Sequence, residues 1–232
     1  QKKKFFPRVA KGEISAFALT EPDVGSDPAR MGTVATPTED GKAFILNGDK
    51  QWCTNVTDPK TTLIAVLART PDKELPNGKK IPQISCFVVE TAWPGVERVR
   101  RSTFMGLRGI ANGSVTFKNV RVPAENLLGE EGGGFIYLMQ ELPWERLQIA
   151  VIAMASAEAA LDWTIQYTNE RKAFGQEIAK FQNTRFKLAE CQTQATIARS
   201  FVDDCIARLQ RGELDVPTAA MAKWWVTDTL CR

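Results

Sequence analysis

The sequence contains no histidine, and this absence excludes several kinds of catalytic site. Hydrolases that pair a serine or cysteine nucleophile with an imidazole base are ruled out, and so are zinc sites with imidazole ligands. The five cysteines are widely spaced and form no Cys-x-x-Cys pair, so we expect reduced thiols and no metal site. Catalysis in this chain must therefore use carboxylates, hydroxyls, arginines or a bound cofactor.

The chain also has little net charge and no long apolar run. Its 30 basic and 27 acidic side chains leave a formal charge of +3, which is too small to indicate a nucleic-acid partner. The longest predominantly apolar run, residues 149–157, is far shorter than the ~20 residues that cross a bilayer. No segment resembles a secretory leader. We therefore expect no membrane span and a location in the cytoplasm, or in the mitochondrial matrix of a eukaryote.

Short β-type runs separated by turns dominate the sequence before Gly129. Asn47-Gly48 and Asn77-Gly78 are strong turn signals between such runs. Regularly spaced strands without long helical patterns between them favour an antiparallel β-barrel over residues 1–129. The runs that we predict to be strands are Ile14–Thr20, Ala43–Leu46, Thr62–Ala68, Ile84–Val89 and Ser114–Phe117.

Helical periodicity replaces the β pattern over residues 130–232 and predicts an incomplete helical bundle. Pro143 is expected to open a helix that runs to about Arg171, because a first helical turn tolerates proline. A later helix carries apolar residues at steps of three and four from Leu188 to Leu209, the pattern of a packed seam. The predicted fold class is therefore α+β, a β-barrel followed by helices.

Two short segments in the β-rich part could carry chemistry. In the first, a strand delivers Thr20 to its end, Gly25 lets a backbone approach a ligand, and Ser26 adds a polar donor. An acidic surface turn explains the same residues equally simply. In the second, Trp52 beside the hydroxyl of Thr54 could form the wall of a site for a flat heteroaromatic ring, although a lone tryptophan is more often a core residue.

Taken together and in order, the motifs resemble the acyl-CoA dehydrogenase family over essentially the whole chain. The helical half is most similar to the long-chain and isovaleryl members. Relative to the family, the chain looks truncated at both ends. The matching motifs are Thr20-Glu21-Pro22 with Gly25-Ser26-Asp27, Trp52-Cys53-Thr54, Met105-Gly106-Leu107-Arg108, Glu145-Arg146-Leu147, Arg171-Lys172-Ala173-Phe174-Gly175, and Gln182.

The resemblance implies FAD as the cofactor and assigns most of its contacts to the β-rich part. Phe17, Leu19 and Thr20 are expected to contact the isoalloxazine ring. Trp52 is expected to lie against the flavin, with the hydroxyl of Thr54 bonded near its N5 atom. The loop of Gly25 and Ser26 is also expected at the cofactor, and Ser26 is expected to face the acyl-CoA as well.

The resemblance also implies that a segment of this chain reaches the cofactor of a neighbouring subunit. Arg171, Phe174 and Gln182 are expected to reach the FAD of that neighbour, which implies a homodimer or homotetramer. Arginine suits this role because its planar fork pairs with two pyrophosphate oxygens. A solvated charge near the end of a helix is the simpler explanation for Arg171 alone.

The implied reaction is removal of an α-proton and a β-hydride from an acyl-CoA thioester, giving a trans-2-enoyl-CoA. Glu145 is expected to be the base and Arg146 to contact the substrate, as in the long-chain type. The β-rich half is closer to a branch whose base lies late, beyond residue 232. An electron-transfer flavoprotein is the expected electron acceptor. An oxygen-using acyl-CoA oxidase and a catalytically silent oligomerisation or CoA-binding module are the alternatives.

Overall fold

The chain, described over residues 1–232 in a computed structural model, forms two units, residues 1–137 and 138–232. The first unit contains one helix and a sheet of eight strands. These elements are α1 (Lys2–Ala10), β1 (Ile14–Ala18), β2 (Val34–Pro37), β3 (Ala43–Cys53), β4 (Thr61–Glu74), β5 (Lys80–Glu90), β6 (Val96–Arg101), β7 (Gly113–Pro123) and β8 (Leu127–Leu128).

Alternation of apolar residues gives the sheet one face that is buried in a single core. Leu46, Ile64, Phe87, Val115 and Phe117 come from four different strands and are all nearly inaccessible to solvent. Each such side chain stabilises the fold by roughly 1.5–3 kcal/mol relative to exposure. Each of the five predicted strand runs overlaps an observed strand, although the run Ile14–Thr20 extends two residues past β1. Burial alternates along β1, whereas Ile84–Val89 in β5 is buried without interruption.

The sheet is mixed and open, so the expectation of an antiparallel barrel is wrong although the α+β class is confirmed. The strand order is β6-β7-β3-β2-β4-β5-β8, and the end strands β6 and β8 do not pair with each other. In addition, β1 runs parallel to β4, and β2 meets β4 in parallel at Arg69. Closure would need a long final strand, whereas β8 pairs through only Leu127 and Leu128.

Asn47-Gly48 lies inside β3 and is not a turn between strands. The pairing of β3 with β7 shifts register between Leu46 and Gly48, which makes this dipeptide a β-bulge. Gly48 has φ +145°, and a Cβ atom there would lie 2.6 Å from the Cα of Thr33. The second signal, Asn77-Gly78, does lie in the turn between β4 and β5, where Gly78 has φ +77°.

Three helices and a small hairpin form the second unit, and α2 begins four residues before it. The elements are α2 (Gly134–Glu170), β9 (Lys172–Ala173), β10 (Gln176–Glu177), α3 (Gln182–Gln210) and α4 (Val216–Cys231). Small side chains allow the helices to pack closely: Ala150, Ala198, Val202, Cys205 and Ala222 are all fully buried. This core includes most of the predicted seam of α3, but Cys191 near its start is exposed.

Pro143 does not open a helix, because α2 already begins at Gly134 and continues through it. A proline within a helix removes one hydrogen bond, and here the surrounding turns tolerate that loss. Glu145 is consequently an interior residue of α2 and not a first-turn residue. The predicted end near Arg171 agrees with the last helical residue, Glu170.

Candidate functional site

The strand that leads to Thr20 presents one face to the core and the other outward. Ala16 and Ala18 are buried in the core, whereas Phe17 between them is 44% exposed. Leu19 and Thr20 follow the end of β1 and are half-buried. Phe17 therefore offers an aromatic surface to a ligand, as the alternation of β1 requires.

A buried ion pair anchors the segment that follows Thr20. The ammonium group of Lys50, on β3, donates to Glu21 Oε1 at 2.8 Å and to the carbonyl oxygen of Leu19 at 2.9 Å. The backbone amides of Gly32 and Thr33 also donate to the Glu21 carboxylate. The Lys50 side chain is inaccessible and that of Glu21 is only 7% exposed.

These contacts set the charge state of Glu21. Burial acts to raise the pKa of Glu21, but the hydrogen bonds from Lys50, Thr33 and Gly32 together hold it below its ordinary value. Sequence reasoning missed both members of the pair. The one sequence feature that could have indicated the pair is the position of Lys50: it lies in β3 among inward-facing apolar residues, three positions before the buried Cys53.

The loop after Glu21 is a tight turn that exposes its polar tip. Backbone hydrogen bonds join Glu21 and Val24 in both directions, at 3.0 and 3.2 Å. Val24 is buried, whereas Gly25 and Ser26 are exposed. A Cβ atom on Gly25 would meet no heavy atom within 4 Å, so nothing in the folded chain itself demands glycine there.

The Trp52–Thr54 turn has an unusual backbone and an exposed aromatic ring. Trp52 lies in the left-handed region at φ 54° and its side chain is 64% exposed. Bulky residues rarely adopt this conformation, which concentrates at functional sites. Thr54 is also exposed, and the Asn112 side-chain amide donates to the Trp52 carbonyl oxygen at 2.8 Å and to Thr54 Oγ1 at 3.3 Å.

The structure brings these two predicted segments together. The backbone amide of Gln51 donates to the carbonyl oxygen of Thr20 at 2.9 Å, and the side chain of Asn55 donates to the carbonyl oxygen of Ser15 at 3.3 Å. The end of β1 and the Trp52–Thr54 turn are therefore neighbours. Between them they expose an indole, a phenyl ring and a hydroxyl group.

In the second unit, Phe174 stands at the tip of a hairpin and is 97% exposed. Phe174 and Gly175 both have positive φ, 52° and 78°, so the two central residues of the turn are left-handed. The Ile178 amide closes the hairpin by donating to the carbonyl oxygen of Arg171 at 2.9 Å. Arg171 is exposed and has no carboxylate partner, so its guanidinium group is free to bind an anion. Gln182, the first residue of α3, is exposed as well.

Glu145 and Arg146 lie far from that hairpin. Glu145 is exposed and Arg146 is half-buried. About 26 residues of α2, or ~39 Å at the standard rise, separate Glu145 from Arg171. The structure therefore does not bring Glu145 and Arg171 to the same reacting atoms within one chain. The dry surroundings expected of a catalytic carboxylate are also not supplied by the helices of this unit.

Comparisons with known proteins match one family along almost the whole chain. The model for "Acyl-CoA dehydrogenase, middle domain" matches residues 16–120, and that for "Acyl-CoA dehydrogenase, C-terminal domain" matches residues 132–232. The protein described as "Probable acyl-CoA dehydrogenase FadE10" from Mycobacterium tuberculosis is 41% identical to this chain over 234 residues. The mitochondrial long-chain specific acyl-CoA dehydrogenase of Sus scrofa is 37% identical over 229 residues.

A solved structure shows the same fold. The crystal structure of an acyl-CoA dehydrogenase from Geobacillus kaustophilus superposes with a TM-score of 0.89 and is 40% identical, covering 99% of this chain and 59% of that one. The chain belongs to the acyl-CoA dehydrogenase family. It spans 35% of the length of the mycobacterial relative and 52% of that of the porcine one, and those matches cover 100% and 98% of this chain.

The structure contains neither a metal-binding cluster nor a helix that could span a membrane. No group of three or more acidic or cysteine side chains is arranged to hold a metal ion. None of the helices combines the length and apolarity that a bilayer crossing requires.

Proposed function

We propose that this chain contributes the flavin-contacting sheet and the helical base-bearing segment of an FAD-dependent acyl-CoA dehydrogenase. The reaction oxidises the Cα–Cβ bond of an acyl-CoA thioester to a trans-2-enoyl-CoA. An electron-transfer flavoprotein is proposed as the electron acceptor. The observation that carries the proposal is the pairing of the Thr20 and Trp52–Thr54 segments, which exposes aromatic faces and a hydroxyl group side by side.

The residues of the first unit fit a flavin chemically. Trp52 and Phe17 offer apolar faces on which a flat ring stacks. Thr54 and Thr20 supply hydroxyl groups for the polar edge of that ring, and the exposed loop of Gly25 and Ser26 offers further donors. When bound, FAD supplies a two-electron acceptor for the hydride that leaves Cβ of the substrate.

The residues of the hairpin support a contribution to a second subunit. Arg171 has an unpaired guanidinium group, and Phe174 projects from a left-handed turn with almost its whole surface exposed. A bulky residue in the left-handed region is uncommon and such conformations concentrate at functional sites, which supports a contact between the exposed Phe174 ring and another surface. We therefore propose that Arg171, Phe174 and Gln182 contact the FAD of a neighbouring copy, in a homodimer or homotetramer. The ~39 Å of α2 between Glu145 and Arg171 is consistent with two different sites.

Glu145 is proposed to accept the proton from the substrate Cα atom. As the proton moves to the Glu145 carboxylate, the Cα–H electron pair becomes the new double bond and the Cβ hydrogen leaves with its own electron pair. Arg146, the next residue of α2, is proposed to hold the thioester-bearing substrate in position. Ser26, in the first unit, is proposed separately to contact the acyl-CoA. A carboxylate performs this step best in a site from which substrate binding excludes water.

Replacing Glu145 with glutamine tests the assignment of the base. In the protein that carries this chain, E145Q is expected to lower turnover of an acyl-CoA by about 10²–10⁴-fold or more while the flavin stays bound, because general-base catalysis contributes that much. Glu141→Gln is the matched control, since Glu141 is also exposed and lies one turn earlier on α2. Turnover of E145Q within threefold of the E141Q control would show that the base lies elsewhere.

The electron acceptor is tested by reoxidation of the reduced protein. With an electron-transfer flavoprotein present, we expect fast reoxidation; in air alone, we expect little hydrogen peroxide. Stoichiometric peroxide on mixing with acyl-CoA would instead indicate an oxidase. A protein that stays colourless after incubation with FAD would support the silent oligomerisation or CoA-binding module.

A further inference from the structure

We propose that Asn112 is a positioning residue: it holds the left-handed Trp52–Thr54 turn in place and keeps the Thr54 hydroxyl group free to donate outward. That a flavin lies against this hydroxyl group rests on the proposed function. The contacts that assign the role to Asn112 are within the first unit and do not depend on a ligand.

The backbone of Asn112 is fixed on the side of the sheet where the turn lies. Asn112 comes directly before β7, and the first residue of β7, Gly113, pairs with Cys53 at the end of β3. The carbonyl oxygen of Asn112 accepts from the amide of Ser102 at 2.8 Å. A Cβ atom on Gly113 would lie 2.1 Å from the carbonyl oxygen of Arg100, so the chains approach closely here. The strand register therefore delivers the Asn112 side chain to the turn.

The chemistry of the contact requires the amino end of the carboxamide. The carbonyl oxygen of Trp52 can only accept a hydrogen bond, so the Asn112 atom 2.8 Å away must be the nitrogen. The other end of the same carboxamide, Oδ1, is buried and has no partner. Asn112 is 5% exposed, and an unpaired buried polar atom destabilises a fold. The two hydrogen bonds that the amino group of Asn112 donates offset this destabilisation.

Those hydrogen bonds act on a backbone that is unfavourable by itself. Trp52 has φ 54°, a conformation that costs a bulky residue of order 1–3 kcal/mol and persists only where the surroundings enforce it. Asn112 is the one side chain that bonds both ends of the turn, at the Trp52 carbonyl oxygen and at Thr54 Oγ1. It is therefore the side chain best placed to enforce that conformation.

The second hydrogen bond also determines which way the Thr54 hydroxyl group can act. A hydroxyl has one hydrogen to donate and two lone pairs that accept. Because Asn112 donates to Thr54 Oγ1, it occupies an acceptor position, and no acceptor within the chain takes the hydroxyl hydrogen. The exposed Thr54 side chain thus presents a donor to whatever covers it. The N5 atom of an oxidised flavin is an acceptor, which matches that polarity.

The test compares Asn112→Asp, Asn112→Ala and the control Asn126→Asp. Asn126 is also a buried asparagine of the first unit whose amide donates to a carbonyl oxygen, that of Val88, and its Oδ1 accepts from the Lys4 ammonium group, so its variant tests whether an added carboxylate elsewhere in this unit, there beside a cation, alters residues 51–57. The first measurement needs no flavin: amide hydrogen exchange over residues 51–57. We expect about tenfold or faster exchange there in both Asn112 variants and no change in Asn126→Asp. Unchanged exchange in both Asn112 variants would overturn the proposal.

The second measurement follows the flavin and includes Thr54→Ala. We expect both Asn112 variants to weaken FAD binding by about tenfold or more and to shift the visible absorption of bound flavin in the direction that Thr54→Ala shifts it. Adding Asn112→Ala to Thr54→Ala should shift the absorption by less than the sum of the two single shifts, because one of the two hydrogen bonds of Asn112 acts through Thr54. A full additional shift in the double variant would overturn that part of the proposal. Failure of the unaltered protein to bind FAD would instead refute the proposed function, while the exchange measurement still decides the role of Asn112.

Discussion

Replacing Lys50 with methionine tests whether the buried ion pair stabilises the segment after Thr20. Methionine keeps much of the length and volume of the lysine stem but removes the ammonium group that donates to Glu21 and to the carbonyl oxygen of Leu19. The Glu21 carboxylate is then left buried with only two backbone amides as partners. Breaking a buried pair from one side costs about 3–5 kcal/mol, a large fraction of the stability of an ordinary domain.

The measurement is thermal and urea unfolding at neutral pH. A loss of about 3–5 kcal/mol corresponds to a fall in Tm of roughly 6–20 °C for a chain of this size. Lys118→Met is the matched control, because Lys118 pairs with Glu97 at 2.7 Å with both side chains at least half exposed, and such pairs contribute about 0–1 kcal/mol. Adding Glu21→Gln to Lys50→Met removes the unpaired charge and should restore at least half of the loss. Equal stability of Lys50→Met and Lys118→Met would refute the argument from burial.

Two further predictions concern stability and one concerns thiol reactivity. The pKa of Glu21 is lower in the folded state than its ordinary value of 4.5, so the ionised carboxylate stabilises the fold. This contribution is complete above pH 4.5 and is lost as the pH falls through the folded-state pKa. The urea midpoint of the native protein should therefore drop more in acid than that of Lys50→Met/Glu21→Gln. Gly113→Ala should lower the free energy of unfolding by about 1–3 kcal/mol, because its Cβ atom would overlap a carbonyl oxygen of β6. In the folded protein a thiol reagent should modify the exposed Cys191 and Cys231 alone, since burial raises the pKa of Cys53 to about 11 and blocks access.

Each of these predictions has a matched comparison. Identical acid sensitivity of the native protein and the double variant would contradict the pH argument. Gly109→Ala places a Cβ atom where no heavy atom lies within 4 Å, so a loss as large as that of Gly113→Ala would contradict the steric one. All five thiols should react once the protein is unfolded in denaturant, and reaction of more than two before unfolding would contradict the assigned burial.

The sequence predicts the elements of this protein better than the way in which they pair. Alternation in β1, and the apolar steps along α3, depend on residues that are close in the chain, and both are confirmed. The open sheet could not be predicted, since the parallel pairing of β1 with β4 joins residues almost fifty positions apart. Asn47-Gly48 has the composition of a hairpin turn, and only the register with β7 shows that it is a bulge.

The candidate site shows the same division. Thr20, Trp52 and Thr54 stand out in the sequence because their residue types and spacing are distinctive. Lys50 and Asn112 are ordinary polar residues, and their importance arises from burial and from partners that are 29 and 60 positions away. Such partners become visible only when the strands are in register, so sequence reasoning finds the groups that face a ligand more readily than those that support them.

The open edge at β6 has a consequence for solubility. A strand with one neighbour leaves a row of backbone donors and acceptors to which a strand from another molecule could add. Glu97, Arg98, Arg100 and Arg101 are all exposed along β6, which runs at the end of the sheet. Burying such charges against a foreign strand is unfavourable, so this short, highly charged border discourages the growth of intermolecular sheets. The exposed arginines of β6 therefore protect the open sheet from aggregation.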